Sequence, residues 1–289
     1  MAGAWMSSGF DALASCDGPA ARAALAGLED LASRADAAVT HRAILMVGEM
    51  VAASDGELAV AEARSAELFQ ILSTMGLPEA ITYRATMGLA GRREQDRLGE
   101  LLAAWSEFRD SRPAVSDATD AAVMFMLATT GEINEAARRL DRAASNEFTD
   151  VPDEAGWPMA ISLYAETATL VADRNAAGLL VEIIRPFAAD RAQLGTGGIM
   201  CGPAARLVAR LEAVLGNDER SDLAFVAAIE DADRLESPIW RARCRLDWAA
   251  CLLARENAEA ATSLIDEAQA AMGDLDLPAL RRQISELRA

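Results

Sequence analysis

The stretch Ala121-Ala-Val-Met-Phe-Met-Leu-Ala-Thr-Thr-Gly-Glu-Ile-Asn-Glu-Ala-Ala-Arg-Arg-Leu140 sets an unbroken apolar run beside a one-sided pattern, with a glycine between them. Ala121 to Ala128 has no polar face, as in a helix buried on both sides. After Gly131, the residues Ile133, Ala136, Ala137 and Leu140 recur at three- and four-residue spacing, which predicts a helix with a single apolar stripe. Two helices joined by so short a turn fold back on one another.

The same unit recurs along the chain. Turn-like residues stand at Gly18, Gly56, Asp96, Gly131, Asp173, Gly216 and Asn257, with gaps of 38, 40, 35, 42, 43 and 41. A period of about 40 built from helices alone points to a helical solenoid. Stripes follow the anchors: Leu98, Leu101, Leu102, Trp105 and Phe108; Phe225, Ala228, Ile229, Ala232 and Leu235; Ala261, Leu264, Ile265 and Ala268. Asp222, Glu230, Asp231 and Asp233 fall on the opposite side of their helix and are expected in solvent. The helix before each anchor is more apolar, as in Ile161–Val171 and Trp240–Leu253, and is assigned to an inner layer. Pro78, Pro113, Pro152, Pro203 and Pro238 lie near the starts of these inner helices, where a missing amide costs little. Pro186 to Gly198 reads as the longest loop, an irregular joint between two stacks.

The expected fold is therefore all-α: a right-handed solenoid of about seven antiparallel, tetratricopeptide-like helix pairs in one domain over residues 1–289. At least twelve helices and no β-sheet are predicted.

Composition supports helix and narrows function. The chain of 289 residues is 52% hydrophobic but 5% aromatic, so alanine and leucine carry the apolar content, and both favour helix. All 27 basic residues are arginine and the net charge is −18. Such a surface repels phosphate backbones and anionic lipid, so neither nucleic acid nor membrane is an expected partner. Without lysine there is no P-loop, kinase-type or Schiff-base lysine. Cys16, Cys201, Cys244 and Cys251 are too scattered for a disulfide framework and read as buried thiols in a reducing cytoplasm. Met1 to Gly18 has no basic region and no apolar stretch of secretory length, and the run at Ala121–Ala128 is too short to span a bilayer. A cytoplasmic protein is expected.

Few residues suggest chemistry. His41 is the single histidine, so no multi-histidine metal site and no Ser-His-Asp arrangement is predicted, and neither a metal nor a cofactor is expected. Gly195-Thr-Gly-Gly198 before a helix could cradle an anion, but it lacks a preceding strand and reads better as a loop between packed helices. Glu166 stands inside the apolar helix Ile161–Val171, where an acid is expensive unless partnered; Arg84 or Arg206 could pair with it. The inner-layer residues Tyr83, Arg84, Trp157, Tyr164, Glu166, Met200, Arg241 and Asp247 are the candidate binding positions, since inner helices line the concave face of such stacks. Arg84, Glu166 and Arg241 are expected to matter more for binding than the outer acids Asp222 and Glu259.

A specific likeness emerges from Gly197-Gly-Ile-Met-Cys-Gly-Pro-Ala-Ala-Arg-Leu-Val-Ala-Arg-Leu211, Leu215-Gly-Asn217, Ala227-Ala-Ile229 and Trp240-Arg-Ala-Arg-Cys-Arg-Leu-Asp247, with Arg92-Arg-Glu-Gln95, Trp157 and Arg185-Pro186 upstream. These resemble the C-terminal helical region of actinobacterial ATPase-coupled regulators, large adenylate-cyclase-like and LuxR-type proteins, over roughly residues 37 to 288. The resemblance implies a tetratricopeptide-like tail that senses a ligand or partner. Nothing in this chain resembles the nucleotide-binding, cyclase or DNA-binding parts.

The leading expectation is thus a protein-interaction or ligand-sensing scaffold that takes a peptide or small molecule on its concave face. The alternative is an enzyme whose inner helices enclose a pocket, with Glu166, Arg84 and Tyr164 as its polar groups. A third reading makes the chain a tail encoded beside a signalling ATPase.

Overall fold

The computed structural model describes residues 1–34, 38–77, 79–111, 117–149, 156–196 and 199–289. Pro78, Pro113, Pro152, Gly197 and Gly198 lie outside the described residues, as do the side chains of Tyr83, Phe108 and Met200. The first helices are α1 (Ala2–Ala14), α2 (Gly18–Arg34), α3 (Ala38–Asp55), α4 (Leu58–Thr74), α5 (Glu79–Glu94), α6 (Gly99–Ser111), α7 (Asp117–Thr129) and α8 (Ile133–Ser145). Then come α9 (Trp157–Leu170), α10 (Arg174–Ala189), α11 (Ala204–Leu215), α12 (Asp218–Leu235), α13 (Pro238–Ala254), α14 (Ala258–Met272) and α15 (Pro278–Leu287). The chain is all-helical apart from one antiparallel hairpin, β1 (Gln193–Thr196) with β2 (Ile199–Pro203).

That hairpin corrects the expectation of no sheet, and it replaces the loop expected from Pro186 to Gly198. Pro186 itself lies inside α10. The apolar, partly β-branched run Ile199 to Pro203 pairs with Gln193–Thr196 instead of coiling.

The helix junctions at or near the seven anchors share one turn, and α4 ends on the same turn at Gly76 (φ +70°), where the Leu77 N–H donates to the Leu72 carbonyl at 3.1 Å. At the seven, the residue closing each turn is left-handed: Cys16, Gly56, Asp96, Gly131, Ala172, Gly216 and Glu256 have φ between +54° and +95°. The next N–H donates to the carbonyl five residues back, from Asp17 to Ala12 through Asn257 to Leu252, at 2.8–3.0 Å. This is the Schellman bond that satisfies the last carbonyls of a helix. Glycine holds three of the seven positions; at the others an L side chain accepts a conformation that disfavours it. Two of the anchors read from sequence are instead caps of the following helix. Asp173 accepts from the Ala176 N–H at 3.0 Å and Asn257 from the Ala260 N–H at 3.4 Å. Gly18 is the first residue of α2.

The odd-numbered helices form a layer of their own, with α7 against α9, α9 against α11, and α11 against α13. α7 and α9 are buried nearly all round, as their composition predicts: every residue from Met159 to Ala168 is buried, and so is every residue from Ala121 to Met126, whereas α1 and α15 bury one side only. The even helices are one-sided, with Phe225, Ala228, Ala232 and Leu235 of α12 and Ala261, Leu264, Ile265 and Ala268 of α14 in the core. Two expectations fail here. Ile133 of the quoted stripe is exposed. Asp231, assigned to solvent, is buried beside Arg234 at 3.4 Å and Arg191 at 3.8 Å.

An open array brings each unit against its neighbours alone. Here α2 also packs on α12, α3 on α13, and α5 on α15. Leu13, Cys16, Val47 and Met50 share one apolar cluster with Ala228, Leu235, Trp240 and Cys244. Polar bonds close the same seam. Arg22 bridges Asp55 at 2.5 Å and Glu236 at 2.9 Å, and Ser237 Oγ donates to the Ser54 carbonyl at 2.5 Å. The hairpin touches α1, α5 and α9 through α12, and Gln193 Nε2 donates to the Leu13 carbonyl at 2.7 Å. Helices far apart in the chain therefore share a core.

Candidate functional site

At the centre of the inner layer lies a cluster of largely buried charges drawn from four helices, with one amide from a fifth. Glu166 sits in α9, whose other central residues are apolar or small, so its carboxylate has no route to water and needs donors from neighbouring helices. α11 supplies them. Arg206 and Arg210 are one turn apart, on the same face of the helix. Arg206 forms a fork, Nη1 to Glu166 Oε1 at 2.8 Å and Nη2 to Oε2 at 3.3 Å. Arg210 Nη1 donates to Glu166 Oε2, and Arg93, from the last turn of α5, donates to Oε1 at 2.6 Å.

The cluster continues into α13, which places Trp240, Arg243 and Asp247 on one face at spacings of three and four. Arg206 Nε donates to Asp247 Oδ2 at 2.6 Å, and Gln283 of α15 donates to Oδ1 at 3.2 Å. Arg243 Nη2 reaches both oxygens of Glu94, at 2.8 and 2.6 Å. The Trp240 ring lies within 6.0 Å of the guanidinium carbons of Arg93, Arg206 and Arg243, a cation–π arrangement that offsets part of their desolvation. Gly202 of β2 passes so close that a Cβ there would lie 2.5 Å from the Trp240 ring. Glycine is what lets the hairpin seat against it.

Burial and pairing compete at each group. Burial alone would push Glu166 up, but Arg206, Arg93 and Arg210 outweigh it and hold the carboxyl well below the usual range. Asp247 is likewise lowered, with Arg206 and Arg210 overcoming its burial. Arg206 is raised, since Asp247 and Glu166 overcome its desolvation. Arg243 moves the other way: burial, helped by Arg93 and Arg206, outweighs Glu94 and lowers it. Burial also lifts the Cys201 thiol to about 11 and the Cys16 and Cys244 thiols to about 12. Carboxylates held ionised are poor proton donors, and thiols held neutral are poor nucleophiles. The cluster is built to hold charge in place.

Of the eight positions read from sequence, the structure brings two together, Glu166 and Asp247. The other described positions lie apart from them. Arg84 Nη1 turns to Ser65 Oγ at 3.4 Å and does not reach Glu166. Arg241 lies on the outer side, paired with Asp233 at 2.8 Å, because residue 241 is on the opposite face of α13 from Arg243. Trp157 packs on Phe187 with ring centroids 5.6 Å apart, and Tyr164 on Phe148 at 5.1 Å, both within the apolar core. The side chains of Tyr83 and Met200 lie outside the described residues. Of the polar groups assigned to an enclosed pocket, Glu166 and Arg84 take different partners, Arg206 and Ser65. Asp222 is no simple solvated acid either, since it accepts from Trp248 Nε1 at 2.7 Å and from Arg255 at 2.6 and 3.0 Å.

Sequence reading missed Arg93, Glu94, Arg210, Trp240 and Arg243 as site residues, and named Arg206 only as a partner. A signal was present: Arg206 and Arg210 stand four apart in a helix otherwise made of Ala, Leu, Val and Glu.

His41 is on the surface against Glu67 at 2.7 Å. Among the described residues no group of three or more His, Cys, Asp and Glu is arranged to hold a metal, and no helix is long and apolar enough to cross a membrane. Comparison with protein-family models, with curated proteins and with solved structures finds no match to this chain.

Proposed function

We infer that the chain is a regulatory scaffold, a tetratricopeptide-like array of seven helix pairs wound right-handedly and closed on itself, which binds a peptide or small molecule at its charged centre. The observation that carries this reading is the convergence of α5, α9, α11, α13 and α15 on one buried ion cluster. Apolar residues of similar volume would hold those helices together as well or better. A charged centre that ties α5 to the helices of the C-terminal half instead suits a device whose packing responds to a bound group. The likeness of residues 197–247 to the helical tails of ATPase-coupled regulators supports a sensing role, with such an ATPase as a candidate protein partner. The cytoplasm, where four thiols stay reduced, is the setting this reading assumes.

The test is native mass spectrometry of the full chain after exposure to fractionated small-molecule and peptide extracts. A retained mass is expected, lost when Arg210 is changed to Gln. Conversion of the retained molecule to a product, or retention indifferent to Arg210, would overturn the reading.

A further inference from the structure

The ion cluster is richer in donors than in acceptors. Four guanidiniums, Arg93, Arg206, Arg210 and Arg243, pair with three carboxylates, Glu94, Glu166 and Asp247. Each guanidinium offers five N–H groups and each carboxylate two oxygens. The shortage is sharpest at Arg243. Both its bonds to Glu94 leave from Nη2, and its buried Nε has no acceptor. It is also the arginine whose charge is under-compensated, held below its ordinary value by burial and by the neighbouring Arg93 and Arg206. A buried donor without an acceptor is costly, and a buried cation short of counter-charge more so. The cluster is not sealed, for the side chains of Arg93 and Arg210 keep 14% and 17% of their exposure while Arg206 keeps 1%.

The geometry points to a binding site for a compact oxyanion, a carboxylate or a phosphate, between Arg243, Arg93 and Arg210 beside the face of Trp240. This rests on the reading of the centre as a ligand site and names the chemistry of the ligand. An oxyanion supplies what the cluster lacks: negative charge and several acceptor lone pairs for planar guanidinium forks. The acidic exterior of the chain, at net charge −18, makes general attraction of anions to its surface a poor competitor.

The experiment is equilibrium dialysis of inorganic phosphate, and separately of acetate, against the full chain, followed in parallel by tryptophan emission. One anion per chain is expected, with a saturable change in emission that disappears in Trp240→Phe. Affinity is expected to fall about tenfold or more in Arg243→Gln, the loss of one charge-assisted bond, and to stay unchanged in the outer-face Arg241→Gln. Should Arg243→Gln fail to fold, Arg210→Gln at the open edge of the cluster carries the same expectation. Phosphate also stabilises proteins by exclusion from their surface, which gives a non-saturating effect shared by every variant. That outcome alone, or equal loss in Arg241→Gln, overturns the proposal. Saturable binding of acetate but not phosphate, or the reverse, supports it and identifies the source of the anion. No saturable binding of either, with an uncharged molecule retained in the mass spectrum, would remove the oxyanion and leave the scaffold standing.

Discussion

Arg206 and Glu166, forty residues apart on adjacent inner helices, meet through a two-pronged guanidinium–carboxylate contact at 2.8 and 3.3 Å, and neither is more than 2% exposed. Such a pair is a poor source of stability against an apolar alternative, yet costly to break on one side. Glu166→Gln leaves three arginines facing an amide. It is expected to destabilise the fold by about 3–5 kcal/mol in urea denaturation. Glu67→Gln, which removes the exposed partner of His41, should change stability by less than about 1 kcal/mol. Equal effects would mean that Glu166 is not the hub described.

Acid should act on the same centre. Glu166 and Asp247 are held below their ordinary values of 4.5 and 3.8, so across that range the unfolded chain binds protons that the folded chain refuses. Their contribution is full above those values and is lost as the pH falls through the lowered folded ones. Asp231 runs opposite: raised by burial, it weighs against folding near neutrality and is relieved as it takes a proton. The two lowered carboxylates outnumber it. Unfolding temperature is therefore expected to drop below about pH 4.5, with a shallower slope in Glu166→Gln. Thermal scans between pH 7 and 3 check this, and an identical slope in the variant would contradict it.

The repeated turn offers a cleaner comparison. Ala172 is exposed and left-handed, with φ +56°, where Gly131 holds the equivalent place at +95° with nothing within 4 Å of the position a Cβ would take. Ala172→Gly should stabilise by about 1 kcal/mol, and Gly131→Ala should cost a similar amount. Midpoints of chemical unfolding decide it; effects of the same sign would show that φ does not govern these positions.

The packing of α2 on α12 rests on close approach. A Cβ on Gly18 would lie 1.9 Å from the Leu235 carbonyl oxygen, and backbone cannot yield as a flexible side chain can. Gly18→Ala is expected to raise hydrogen exchange in α2 and α12 together, because each covers the other. Faster exchange confined to α1 through α3 would mean that the two ends do not support one another.

Much of the fold was legible in the chain itself. The apolar run Ala121–Ala128 gave an inner helix, the stripe Phe225, Ala228, Ala232 and Leu235 an outer one, and both readings hold because helical periodicity is local. The seven anchors fall at or near turns for the same reason, although Asp173 and Asn257 proved to be caps. Their neighbours Ala172 and Glu256 carry the left-handed backbone, a choice no residue preference announces. The hairpin was not legible, since β1 and β2 are held by contacts with six helices as well as by each other.

The charged centre divides the same way. That Glu166, in so apolar a helix, needed a cation was fixed by desolvation, a property of the residue and its immediate neighbours. Which cations answered depended on tertiary structure alone. Arg206, Arg210 and Arg93 reach Glu166 because of where α11 and α5 pack, while Arg84, equally charged, turns to Ser65. That the N-terminal helices pack against α12 and α13 was not legible in the sequence either. They meet because Leu13, Val47 and Met50 bury apolar surface against Leu235, Trp240 and Cys244, and contacts between residues some two hundred positions apart leave no periodic trace in a sequence.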